Sequence, residues 1–168
     1  MNLQTLFTQN EIARRVAELG REISGFYQNK EITLIAVLNG AIPFAADLMR
    51  NISVPLMLDS IAVQSYRNDA SSGEVNFRST LKLPVENRHV LVVDDILDTG
   101  LSLKKIKEYL ITMHPASLKS CVMVQKILPQ PPACRADWVG FKAPDRYLVG
   151  YGLDSNENGR NLPYIGFK

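Results

Sequence analysis

Three carboxylates and two hydroxyls crowd the stretch VLVVDDILDTGLSL (90–103): Asp94 and Asp95 follow an apolar run, and Asp98 stands directly before Thr99-Gly100-Leu101-Ser102. Carboxylates so placed can accept hydrogen bonds from hydroxyls, act on a divalent cation or take a proton. A glycine flanked by hydroxyls where a helix begins offers a different chemistry, because unpaired backbone N–H groups there cradle phosphate. The two demands conflict, since acids repel phosphate. They are reconciled by a phosphorylated sugar that arrives with a divalent metal, its hydroxyls donating to the acids while the metal neutralises charge. A plainer reading makes Asp94 and Asp95 the solvated end of a strand and Asp98 a helix N-cap. The uninterrupted order of strand, acidic pair, two apolar residues and Asp-Thr-Gly favours the ligand.

The elements that must position these groups can be read around them. Val90-Leu91-Val92-Val93 has no polar alternation, so it is expected to be a central strand of a parallel sheet, covered on both faces. Leu103, Ile106, Leu110 and Met113 then recur at helical spacing. Upstream, Thr8 and Glu11 have capping-box spacing before an apolar stripe, which predicts a helix over 9–28. Residues 32–38 read as a buried strand, and Pro43 opens a helix through about Arg50. Strands are expected at 54–65 and 75–81 around a polar loop, at 119–127, and near 138–141 and 147–151, with a polar segment at 154–161. Strands alternating with helices argue for an α/β fold with a mainly parallel central sheet flanked by helices.

The stretch 90–102 resembles the phosphoribosyl-diphosphate (PRPP) binding motif of type I phosphoribosyltransferases. From about residue 33 to 161 the order of segments is similar, more narrowly, to hypoxanthine-guanine phosphoribosyltransferases, a purine-salvage family. The resemblance implies the type I fold with a small hood formed from the chain ends, residues 1–168 acting as a single domain. It implies Mg2+ as cofactor, PRPP and a 6-oxopurine as substrates, and a homodimer or homotetramer as the assembly. By the same resemblance Asp94 and Asp95 position the ribose hydroxyls, the turn from Asp98 through Thr99, Gly100 and Leu101 to Ser102 grips the 5-phosphate, and Asp98 accepts the purine proton at N7.

Further positions matter on the same ground. Leu38, Asn39 and Gly40 form a second strand-to-helix turn whose backbone could hold an anion; the resemblance makes it the pyrophosphate loop, with a non-proline cis peptide at Leu38-Asn39. Many relatives carry a basic residue where this chain has Asn39. Lys126 ends an apolar strand and could simply snorkel to the sheet edge, but it aligns with a lysine that donates to the purine 6-oxo group. Tyr147 aligns with a base-stacking aromatic, and Leu148 with a residue whose backbone reads the purine edge. Asp154 matches an acid associated with a second magnesium, on which Asp94 and Asp95 would act only indirectly, and Arg160 matches a pyrophosphate-binding arginine. Ser65 and Tyr66 match the Ser-Tyr of a flexible lid, useful where water would otherwise capture an activated sugar carbon.

Composition excludes several classes. The net charge of +2 comes from interspersed Lys and Arg, so no basic stripe marks a nucleic-acid surface. No apolar stretch approaches the 18 or so residues of a spanning helix, and no secretion signal opens the chain. Cys121 and Cys134 suggest neither a disulfide framework nor a metal knot, so a reducing cytoplasm is the expected compartment. Two alternatives share features with the motif. Receiver domains also carry a paired acid after an apolar strand, though on their first strand. A non-catalytic RNA-binding regulator could use the same fold, because fold does not fix function.

Overall fold

A computed structural model describes residues 3–65, 75–77 and 79–167 of the chain. The Tyr66 of the expected lid lies outside these residues, and Ser65 is described as backbone only. Along the chain run β1 (Gln4–Phe7), α1 (Gln9–Phe26), β2 (Ile32–Leu38), α2 (Ile42–Asn51), β3 (Leu56–Ser65), β4 (Val75–Phe77) and β5 (His89–Leu97). There follow α3 (Leu101–Ile111), β6 (Ser117–Ile127), β7 (Trp138–Pro144), β8 (Leu148–Val149) and β9 (Ile165–Phe167).

The main sheet has the order β4-β3-β2-β5-β6-β7. Its five strands from β3 to β7 are parallel neighbours, and β4 adds an antiparallel edge. The central run behaves as its composition demands. Leu34, Ala36, Leu91 and Val93 pack with Ile12, Val16, Leu19, Phe44 and Leu48 of α1 and α2. Their sequence neighbours Ile35, Val37, Val90 and Val92 pack with Leu103, Ile106 and Leu110 of α3 on the opposite face. Each aliphatic side chain removed from water there contributes about 1.5–3 kcal/mol, which gives the sheet margin to carry polar groups at its ends.

Local signals explain the helices. The Thr8 hydroxyl accepts from the Glu11 N–H at 3.3 Å while the Glu11 carboxylate accepts from the Thr8 N–H at 2.8 Å, the reciprocal capping box expected from their spacing. Pro43 sits in the first turn of α2, where its missing N–H costs nothing. No helix among the described residues is long and apolar enough to cross a membrane.

Several boundaries differ from the sequence expectation, among them the strand expected at 75–81, which is Val75–Phe77 with 79–81 outside the sheet. The strand bearing the acids does not stop at Val93: it stays paired with β6 through Leu97 opposite Gln125, so Asp94 and Asp95 lie within the ladder. β7 runs on to Pro144. The expected strand at 147–151 shrinks to Leu148–Val149, because Gly150, Tyr151 and Gly152 all take positive φ and turn the chain away. β1 and β9, not foreseen individually, join β8 in a separate antiparallel sheet of order β1-β9-β8. That sheet is the hood made from the chain ends.

Candidate active site

Parallel strands deliver their carboxyl ends to one edge, and here that edge collects the chemistry. β2 ends at Leu38, beside Ala62 of β3. Asp94 of β5 lies beside Val122 of β6, and Lys126 lies beside Ala143 of β7. The turn from Asp98 to Ser102 leaves β5 and enters α3 with Gly100 as N-cap, at φ 77°, and no side chain caps that helix. Asp98 is therefore not the N-cap of the plainer reading, and the first-turn N–H groups of α3 are left to other acceptors. The loop after β6 braces this turn: the Ala133 N–H donates to the Thr99 carbonyl at 2.8 Å.

Asp94 is only 8% exposed, and its Oδ1 accepts the Asp95 N–H at 2.9 Å. Burial pushes the Asp94 carboxyl well above its ordinary pKa, and the adjacent Asp95 charge adds to the shift. Asp95 is also raised by burial, less so because hydrogen bonds and the Arg160 guanidinium favour its charged form. A carboxyl pair of this kind, one acid buried and its neighbour half-buried, suits the hydroxyls of a sugar as donors.

Gly40 lies against the Asp95 carboxylate of that pair. A Cβ at Gly40 would overlap the Asp95 carboxylate, and a Cβ at Gly152, at φ 98°, would overlap the Gly40 carbonyl. Two glycines thus stack the 38–40 turn between the acids of β5 and the turn after β8. The Leu38-Asn39 peptide bond is cis, and Asn39 is exposed. Arg160 fastens the upper layer: its Nη1 donates to the Gly152 carbonyl at 2.8 Å and its Nη2 pairs with Asp154 at 3.0 Å. Expected separately at pyrophosphate and at metal, Arg160 and Asp154 are partners of each other in this structure.

Across the 98–102 turn, Lys126 Nζ lies 3.2 Å from Asp98 Oδ2 and 3.0 Å from Asp145 Oδ1. Burial alone would lower the lysine pKa, but the hydrogen bonds it donates to Asp145 and Asp98, with the charges of those carboxylates, outweigh it and hold the ammonium above its usual value. Lys126 is therefore a fixed, charged donor beside the 98–102 turn, not a snorkelling edge residue. Leu148 is buried in β8, opposite Phe167 of β9, and Tyr147 precedes it, half-exposed. Ser65 ends β3. Asp145 and Gly152 escaped the sequence reading: an acid after a strand-ending proline and a glycine in a polar turn carry no local mark of what they touch.

The receiver alternative does not survive the topology, because four strands precede the acid-bearing β5. Comparison with known proteins agrees. The phosphoribosyl transferase domain family matches residues 2–156. A hypoxanthine-guanine phosphoribosyltransferase of Aquifex aeolicus is 42% identical over 97% of this chain and 93% of its own, and one from Bacillus subtilis is 42% identical over 97% and 91%. A solved hypoxanthine-guanine phosphoribosyltransferase from Bacillus anthracis superposes with a TM-score of 0.93 at 36% identity, covering 98% of both chains. With acidic pair, 98–102 turn and lysine gathered on one sheet edge beneath a hood, the chain belongs to the phosphoribosyltransferase family, in its hypoxanthine-guanine branch.

Proposed function

We propose that this protein transfers the 5-phosphoribosyl group of PRPP to hypoxanthine or guanine, giving IMP or GMP and pyrophosphate, with residues 1–168 acting as one domain. The observation that carries the reading is the 3.2 Å approach of Lys126 to Asp98 beside the phosphate turn. It sets a cationic donor and a proton acceptor within the span of one purine edge. An ammonium can donate to a 6-oxo group and offers adenine's 6-amino group no acceptor.

In this reading the N–H groups and hydroxyls of 98–102 hold the 5-phosphate, Asp94 and Asp95 accept from the ribose hydroxyls, and the 38–40 backbone with Arg160 receives the diphosphate. Tyr147 stacks on the base while Leu148 presents backbone groups to its edge. N9 attacks the anomeric carbon with inversion as pyrophosphate leaves, and Asp98 takes the proton at N7. Ser65 and Tyr66 would cover the site against water.

Magnesium fits this donor set. Among the described residues no three His, Cys, Asp or Glu side chains form a metal nest, but magnesium typically takes one or two carboxylates and completes its shell with phosphate oxygens and water. Asp154 is the carboxylate that would hold it, with Asp94 and Asp95 acting through the sugar. Bound there, the ion would neutralise diphosphate charge and so favour its departure. Assembly as a homodimer or homotetramer and a cytoplasmic location belong to the same reading.

The test is a panel of hypoxanthine, guanine, xanthine and adenine with PRPP and magnesium, with nucleotide products separated by chromatography. IMP and GMP with stoichiometric pyrophosphate are expected. Nucleotide from adenine alone, or from no base, refutes the proposal.

A further inference from the structure

The ammonium of Lys126 has three donors, and two of them are engaged in different directions. Asp98 reaches it from the phosphate turn after β5, and Asp145 from the far side, after β7. Register brings Asp145 there. Lys126 pairs with Ala143 and Ile127 with Pro144; the chain then turns sharply, the Arg146 N–H donating to the Pro144 carbonyl at 2.8 Å. The Asp145 side chain can so reach back past the strand end to Lys126. The lysine is 14% exposed, and Asp145, at 59%, forms the outer side of the pair.

We infer that Asp145 is the positioning residue for Lys126, holding its ammonium at the purine's 6-oxo group when Asp98 turns to the base. The inference rests on the function proposed above. Its logic is the division of labour between two acids: Asp98 faces the substrate and exchanges its lysine contact for a purine nitrogen, so it cannot anchor Lys126 throughout. A lysine with one anchor would recover its rotamer freedom at the moment the oxo group needs a fixed donor. Asp145 has no reacting atom to serve and can keep its contact before and after the base arrives. The charged groups acting on the ammonium are these two carboxylates, one from each flanking turn.

The experiment compares wild type with Asp145→Asn and Asp145→Glu. Because the Lys126 partner is exposed on its outer side, the loss should be moderate: a rise of about 3–10-fold in KM for guanine and hypoxanthine, with kcat and the KM for PRPP within about twofold. Asp145→Glu should recover most of the loss. A second readout needs no turnover. In ligand-free protein carrying 13C-lysine, the signal that Lys126→Met removes should titrate at lower pH in Asp145→Asn than in wild type. Unchanged oxopurine KM overturns the inference, as does a uniform loss in kcat and both KM values, which would mark a structural role. Wild-type protein that makes no nucleotide from any oxopurine refutes the functional reading instead. In that case an unshifted Lys126 titration overturns the Asp145–Lys126 coupling, and a shifted one upholds it.

Discussion

Replacing Asp94 by asparagine should make the ligand-free protein more stable while abolishing its use for PRPP. The carboxyl is nearly fully buried, faces a second acid, and has its pKa raised by both. A raised carboxyl pKa means the folded protein holds a proton that the unfolded chain releases, so stability falls as pH climbs from the ordinary carboxylate range through the folded value. Above that window the whole cost of a buried charge is present; below it, none. Asparagine keeps the Oδ1 that accepts the Asp95 N–H at 2.9 Å, deletes the charge and turns the second acceptor oxygen into an NH2 able to donate to the neighbouring Asp95 carboxylate. An under-satisfied buried polar group costs about 1–3 kcal/mol, and for a domain of this size each kcal/mol moves Tm by about 2–4 °C. Differential scanning calorimetry at pH 8 should therefore place Asp94→Asn about 2–12 °C above wild type, with the gap closing toward pH 4. Added PRPP with magnesium should raise the wild-type Tm by mass action and leave the variant nearly unmoved. A variant less stable than wild type at pH 8, or a gap that does not change with pH, would refute the account of the acidic pair.

Lys126→Met keeps most of the stem and deletes the donor; kcat/KM for guanine and hypoxanthine should fall roughly tenfold to over a hundredfold, for about 1.5–3 kcal/mol of lost hydrogen bonding, with PRPP affinity by calorimetry little changed. Asp98→Asn should keep fold and PRPP binding while turnover drops about 10²–10⁴-fold; near-wild-type rates would deny it the proton. Chelating magnesium should weaken PRPP binding strongly in isothermal titration, and equal affinity with and without metal would remove the charge argument. Gly152→Ala sets a Cβ against the Gly40 carbonyl at a positive φ, so it should cost about 1–3 kcal/mol in urea unfolding and raise the KM for PRPP.

Much of this was legible wherever a signal is local. The run Val90–Val93, the stripe from Leu103 to Leu110 and the Thr8–Glu11 box each specify an element within a few residues, and each is present. The acid-bearing motif marked the sheet edge at which Asp94, Asp98 and Lys126 come together. What the sequence hid depends on partners far along the chain. Asp94 looks like the end of a strand because charge normally marks exposure, yet its burial follows from β6 continuing alongside. β1 and β9 are too short for periodicity, and they exist because Gln4 meets Phe167. The pairing of Arg160 with Asp154, and of Lys126 with Asp145, is set by turns whose geometry no spacing rule encodes.

The hood also gives the site a history. A ribosome makes the chain from one end, and by the close of β6 it has produced the acidic pair, the 98–102 turn and Lys126. The parts above them come later: Leu148 and Val149 pair with β9, and β1, made before the acid-bearing strand, waits for β9 before it has a partner. A nascent chain can thus complete the floor that would hold a sugar phosphate well before the roof that would admit a base. Until then β1 is an unpaired edge attached to a folding domain, open to wrong partners. PRPP present during synthesis would meet its half of the site first, and could steady the unfinished domain while the strand that closes it is still being made.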